Sequence, residues 1–353
     1  MEKRQEKYTA KPQEGISAAE NMADEFAFGN FLGLPENGDS VDVVVLQIPY
    51  ELTTSYGQGT AQGPAACIEA SSQVELFDPV LGEDMPAEQN IFTAPAWSGE
   101  GPNLLAQLDG ISNYLSPWFI GDCFPIILGG EHGILPPIVN ATRKHPLVER
   151  DLSNLTIVQI DAHADLREEL DGEKYSHACA ASRSLDLGIK HLFQAGIRAY
   201  SKLENERIES DERITTYFAR DTQSDMEVWK KWIITLENIS GPVHLTLDID
   251  GLDGSLVPAT GTPVPGGLSF WQVSETIDAL FRAKHAVVIS VDVNEIVPQK
   301  DTPLTQFTAA MIATKALAAH IMAKRAGLWE QTTSQQGKQR NANDEKFFIS
   351  QGK

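Results

Sequence analysis

Five short apolar runs, four of them ending in His, Asp or Glu, constrain this chain more than anything else in it. VDVVVLQI (41–48), PIIL (125–128), LTIVQI (155–160), VHLTL (243–247) and AVVISVDV (286–293) are rich in β-branched residues and nearly free of polar interruption. Such runs read as strands covered on both faces, because a half-exposed strand alternates apolar with polar side chains. Between them lie segments such as GPAACIEASSQVELF and NLLAQLDGISNYL, whose apolar spacings of three and four are helical. The alternation predicts an α/β fold with a mostly parallel sheet flanked by helices. Glu131 and His132 follow the second run, Asp161, His163 and Asp165 the third, Asp248 and Asp250 the fourth, and Glu295 the fifth. In open parallel sheets ligands bind beyond the carboxyl ends of the strands, so clusters far apart in sequence can converge there.

In an extended chain, residues at i, i+2 and i+4 point the same way. Asp161-Ala-His163-Ala-Asp165 therefore turns two carboxylates and an imidazole toward one point, and Asp248-Ile-Asp250 adds two carboxylates. Gly129-Gly130-Glu131-His132-Gly133 supplies small residues for a tight turn that presents His132. A D-x-H or D-x-D triplet alone more often caps a turn or pairs at the surface. Three such clusters at strand ends are much harder to explain that way. So many anions in one pocket need positive charge, and metal cations supply it. Six side chains are too many for one catalytic metal but suit two if aspartates bridge them. Oxygen-rich ligation without thiolate favours Mn²⁺, Mg²⁺ or Ni²⁺ over structural zinc. His177, in a polar loop beyond Asp165, is a candidate proton shuttle. His145, His191, His244, His285 and His320 have no such company and read as structural or surface residues.

The net charge of −21 would repel a phosphate backbone and draw cationic small molecules, which argues against nucleic acid as a partner. Cys67, Cys123 and Cys179 are too scattered for a disulfide framework and fit a reducing compartment. The first residues lack the apolar stretch of a signal peptide, and no run of about 18 apolar residues would span a membrane. A cytoplasmic protein is expected. Residues 1–24 and 331–353 are polar tails without an apolar face, and 25–330 reads as one domain.

GGEHG, DAHADLR, YSHA, DIDGLDGSLVPATGTPVPGGL and DVNEIVP, in that order, resemble the successive signatures of the arginase/agmatinase ureohydrolases. PYELTTSYGQGTAQGPAA resembles their amino-terminal motif, and the likeness runs from about residue 42 to 320. The resemblance implies a three-layer α/β sandwich, two Mn²⁺ (or Ni²⁺) per subunit, and a homotrimer or homohexamer. It implies one metal on His132, Asp161, Asp165 and Asp248, and another on Asp161, His163, Asp248 and Asp250. His177 matches the family's proton-transfer histidine and Glu295 its guanidinium-binding carboxylate, with Thr262 near the substrate. Many members have aspartate and serine where this chain has Glu131 and Gly133, and an aliphatic residue where it has Asn294.

The expected reaction is hydrolysis of a guanidino compound, agmatine to putrescine and urea first. Guanidinobutyrate, guanidine and arginine are the alternatives. The loop LREELDGEKYSHA is closer to the agmatinase branch, and its carboxylates (Glu168, Glu169, Asp171, Glu173) suit a substrate with a distal amine. A dinuclear phosphoesterase would add G-N-H-[DE] and G-H-x-H segments, which the chain lacks. A non-catalytic metal-binding subunit would have no need of the complete ligand set.

Overall fold

The five apolar runs form five neighbouring or near-neighbouring strands of one sheet. In the computed structural model, which describes residues 29–35, 40–99, 101–120 and 123–329, they become β1 (Val43–Ile48), β5 (Phe124–Gly129), β6 (Thr156–Ile160), β9 (Ser240–Asp248) and β10 (His285–Asn294). Three further strands complete the sheet: β4 (Ile91–Thr93), β7 (His191–Ile197) and β8 (Ile214–Phe218). The order is β4-β1-β5-β10-β9-β6-β7-β8, and every neighbouring pair is parallel. A separate hairpin pairs β2 (Phe77–Asp78) with β3 (Glu83–Asp84). The polar stretches 1–24 and 331–353 lie outside the described residues.

Strand residues alternate between faces, so each central strand feeds two cores. Val43 and Val45 of β1 and Ile126 and Leu128 of β5 share one core with the helices Gly63–Ser71 and Leu304–Arg325. Val44, Leu46, Ile48 and Ile127 pack into the other, against Leu108, Ile111 and Leu115 of the helix Leu104–Leu115. Helices thus cover both faces, and the expected three-layer sandwich is what forms. No helix among the described residues is long and apolar enough to cross a membrane.

The segment GPAACIEASSQVELF is helical only to Ser71. There the Ser71 and Ser72 hydroxyls donate to the carbonyls of Ile68 and Glu69, both at 2.7 Å, which competes with continuation of the helix. Its end, Phe77, joins the hairpin instead. NLLAQLDGISNYL is helical as expected, and Asn103 caps it by accepting the Ala106 N–H at 3.0 Å.

Candidate metal centre

β5, β10, β9 and β6 are consecutive in the sheet and parallel, so their carboxyl ends meet at one edge although the chain visits them in another order. His132 opens the turn after β5, Asp161 follows β6 directly, Asp248 ends β9 and Glu295 follows β10. His132 Nδ1 lies 2.9 Å from Asp165 Oδ2, 3.1 Å from Asp161 Oδ2 and 3.7 Å from Asp248 Oδ2. His163 Nδ1 lies 3.0 Å from Asp250 Oδ2 and 3.7 Å from Asp161 Oδ1. Two groups of donors result, His132/Asp161/Asp165 and Asp161/His163/Asp250, with Asp161 common to both. All six side chains are buried except His163, which is half-buried.

The electrostatics show a cluster short of positive charge. Burial and the neighbouring Asp161 carboxylate push Asp165 up to about 7. Burial and adjacent carboxylates hold Asp248 and Glu295 well above the usual range. Burial alone would lower the imidazoles, yet Asp161 and Asp165 hold His132 well above its ordinary value, and Asp161 and Asp250 raise His163 to about 11. Protons crowd where cations would sit. His132 Nδ1 is buried facing the Asp161 and Asp165 carboxylates without a well-formed hydrogen bond, as suits a nitrogen that shares a cation with them. Imidazole and carboxylate donors without thiolate fit two hard or borderline divalent cations.

Two buried relays aim these donors. His132 Nε2 lies 2.9 Å from Thr246 Oγ1, whose hydroxyl donates to Asp292 Oδ1 at 2.8 Å. With its one proton committed, Thr246 can only accept from Nε2–H, which leaves the lone pair of His132 on Nδ1. Asp292 also receives the Asn294 side-chain amide and lies 2.6 Å from His244 Nε2. The second relay runs across three strands. Thr216 donates to Gln194, Gln194 to Gln159 (both 2.9 Å), and Gln159 to Asp161 Oδ2 at 2.7 Å. Sequence reading missed these residues. His244, expected to be a structural or surface residue, is structural: it lies fully buried on the first relay.

Glu295 stands beside the cluster, its Oε1 accepting the His132 backbone N–H at 2.7 Å. Asp165 and Glu295 both hold left-handed backbones (φ 54° and 62°), costly for non-glycine residues and typical of functional sites. Above the cluster opens a narrow cleft walled by Ser55, Tyr56, Gly57, Gly261 and Thr262, with His177 and Glu295 at its sides. The loops meet closely: Gly57 N–H donates to Gly261 O at 3.0 Å, and a Cβ on Gly57 would lie 2.8 Å from that oxygen. A second, roomier recess adjoins the cleft past His177, lined by Arg167, Leu170 and Glu204. Of the four loop carboxylates read as facing a distal amine, none lines either space, and Glu168 is committed to Arg183 and Arg207. Glu204 borders the recess but is engaged as well, its Oε2 accepting the Ser201 N–H at 2.7 Å and its Oε1 the Leu166 N–H at 3.1 Å.

Comparison with known proteins agrees with this geometry. Residues 41–319 match the model of the arginase family. An N(1)-aminopropylagmatine ureohydrolase of Synechocystis is 35% identical over 278 residues, 77% of this chain and 87% of that protein. An agmatinase of Bacillus cereus is 32% identical over 265 residues, 73% of this chain and 84% of that protein. The solved agmatine ureohydrolase of Thermoplasma volcanium superposes with a TM-score of 0.68 at 26% identity, covering 80% of this chain and 90% of that one. With its parallel sheet, its paired histidine–aspartate groups and these relatives, the chain belongs to the arginase family.

Proposed function

We propose that this protein is a ureohydrolase that cleaves agmatine to putrescine and urea, with His132, Asp161, His163, Asp165, Asp248 and Asp250 holding two divalent cations. The observation that carries the reading is the pair of donor groups sharing Asp161, set at the base of a cleft with Glu295 beside it. When bound, the cations would offset the carboxylates and activate water at neutral pH. The remaining roles belong to the chain. Glu295 orients the planar guanidinium by a paired contact, and Thr262 borders it from the opposite loop. Asp165 takes the proton of the attacking water and passes it to the departing amine, which must leave protonated. His177 exchanges the product-side proton with solvent.

Agmatine is favoured by the Bacillus cereus relative, and the Synechocystis relative's name makes the longer aminopropylagmatine the second reading. The recess beyond His177 is open space next to the cleft, which supports a substrate longer than a bare guanidinium. The reading includes manganese in both positions, a cytoplasmic home and a trimer or hexamer. Oxygen-rich donors favour manganese, and exposed Leu203 (75%) and Trp271 (77%) offer surface for other copies to cover. The test is urea release by protein loaded separately with Mn²⁺ and Ni²⁺, across agmatine, aminopropylagmatine, arginine, guanidinobutyrate and guanidine. Turnover of agmatine or aminopropylagmatine above the rest supports the reading. No urea from any of them by protein holding two metals per chain refutes it.

A further inference from the structure

Glu131 and Gly133, where many family members have aspartate and serine, fit each other. A Cβ at 133 would lie 3.0 Å from Glu131 Oε1, closer than most side chains allow, so the glycine leaves room for the longer carboxylate. That carboxylate is fully buried and reaches across to the loop after β1. Its Oε2 accepts the backbone N–H groups of Leu52 (2.8 Å) and Thr53 (2.7 Å), and its Oε1 accepts the Thr53 hydroxyl at 2.7 Å. Thr53 Oγ1 in turn accepts the backbone N–H of His177 at 2.9 Å and lies 3.3 Å from His177 Nδ1. One carboxylate therefore ties three segments together, and the third carries the histidine that borders the cleft.

A hydroxyl has one proton, and with Glu131 ionised, the form that the Leu52 and Thr53 donors favour, Thr53 gives its proton to Glu131. Only lone pairs of Thr53 Oγ1 face His177. A ring nitrogen beside them is favoured when it carries the hydrogen, which leaves the other nitrogen with its lone pair. The Ser176 hydroxyl, 3.4 Å from the same Nδ1, can turn either way and selects neither form. We propose that Glu131, acting through Thr53, holds neutral His177 with its proton on Nδ1 and its lone pair on Nε2, so that both are positioning residues for proton transfer. Gly133 makes the arrangement possible. The inference rests on the reading of His177 as the proton-transfer group.

Replacement of Glu131 by glutamine makes a sharp case. Two backbone N–H groups fix the amide oxygen at the Oε2 position, so the NH₂ group falls at Oε1 and donates to Thr53. The Thr53 hydroxyl must then turn to Nδ1, and the ring proton moves to Nε2. In ¹⁵N spectra of the protein loaded with diamagnetic Mg²⁺ or Zn²⁺ in place of Mn²⁺, with His177 identified by its loss in His177→Ala, Glu131→Gln should shift the proton from Nδ1 to Nε2. An unchanged tautomer overturns the proposal. Kinetics give the second readout. Thr53→Val should lower kcat for urea release by about tenfold or more, with KM and two bound metals retained, and Thr53→Ser should restore most of it. In a His177→Ala background, Thr53→Val should cost nothing further. An equal loss in both backgrounds would make Thr53 merely structural, and full activity of Thr53→Val beside an impaired His177→Ala would break the link while sparing the shuttle. Full activity of His177→Ala would remove the shuttle itself, and the proposal with it.

Discussion

His132 meets the cluster through Nδ1 and the sheet through Nε2, and the second contact decides what the first can do. Thr246→Val keeps the shape of the side chain but strips the acceptor from Nε2–H. It is expected to weaken one of the two metal positions by about 10–100-fold and leave the other, held through His163, unchanged. Competition against a chelator would measure both. Equal affinity at both positions in variant and wild type would detach Thr246 from the centre. At this scale the histidines and aspartates that cluster at the strand ends were legible in the sequence, because their spacing after apolar runs is a local signal. Thr246, Asp292 and His244 were not: each sits inside a run that reads as plain strand, and only strand pairing brings Thr246 beside Asp292. Asn294, unexplained as a departure from the family, fills the space over Gly129, where a Cβ would collide with its Oδ1, and donates to Asp292.

The central strands were legible because burial on both faces leaves no polar alternation to blur them. β4 and β8 were missed for the opposite reason. Both are edge strands, one only three residues long and the other half-exposed along most of its length. β7 reads HLFQAGI, and its buried Gln194 breaks the apolar run while serving the relay to Asp161. Just past β7, Arg198 donates to the backbone carbonyls of Gly196, Asp250, Gly251, Leu252, Val264 and Pro265, which fastens the turn carrying Asp250 to the loop that leads into the helix Phe270–Arg282. Arg198→Met should keep the aliphatic packing and leave those carbonyls unpaired. We expect a loss of at least about 3 kcal/mol in denaturant unfolding, with weaker binding at the position that uses Asp250. Unchanged stability would show that water replaces the arginine freely.

Two buried histidines remote from the cluster make the fold sensitive to acid. His320 stacks on Phe124 (centroids 4.0 Å apart, planes 5° apart) with neither ring nitrogen hydrogen-bonded among the described residues. Burial, helped by the Lys324 ammonium, pushes it down to about 3. Below about pH 6.5 the unfolded chain takes up a proton that the folded chain refuses, so stability falls as pH falls from 6.5 toward 3, by at most about 1.4 kcal/mol per unit. His145, which burial lowers to about 4, acts in the same direction. His320→Phe should flatten this decline between pH 7 and 5 in urea unfolding; an identical slope would remove the histidine from the account.

Two cations, not one and not none, are expected to make the centre competent. Metal-stripped protein titrated with Mn²⁺, with bound metal and urea formation from agmatine followed together, tests it directly. Activity absent without metal, rising with the second equivalent and level at two per chain, is the predicted result. Full activity without metal, or at one equivalent with the second position empty, would contradict it.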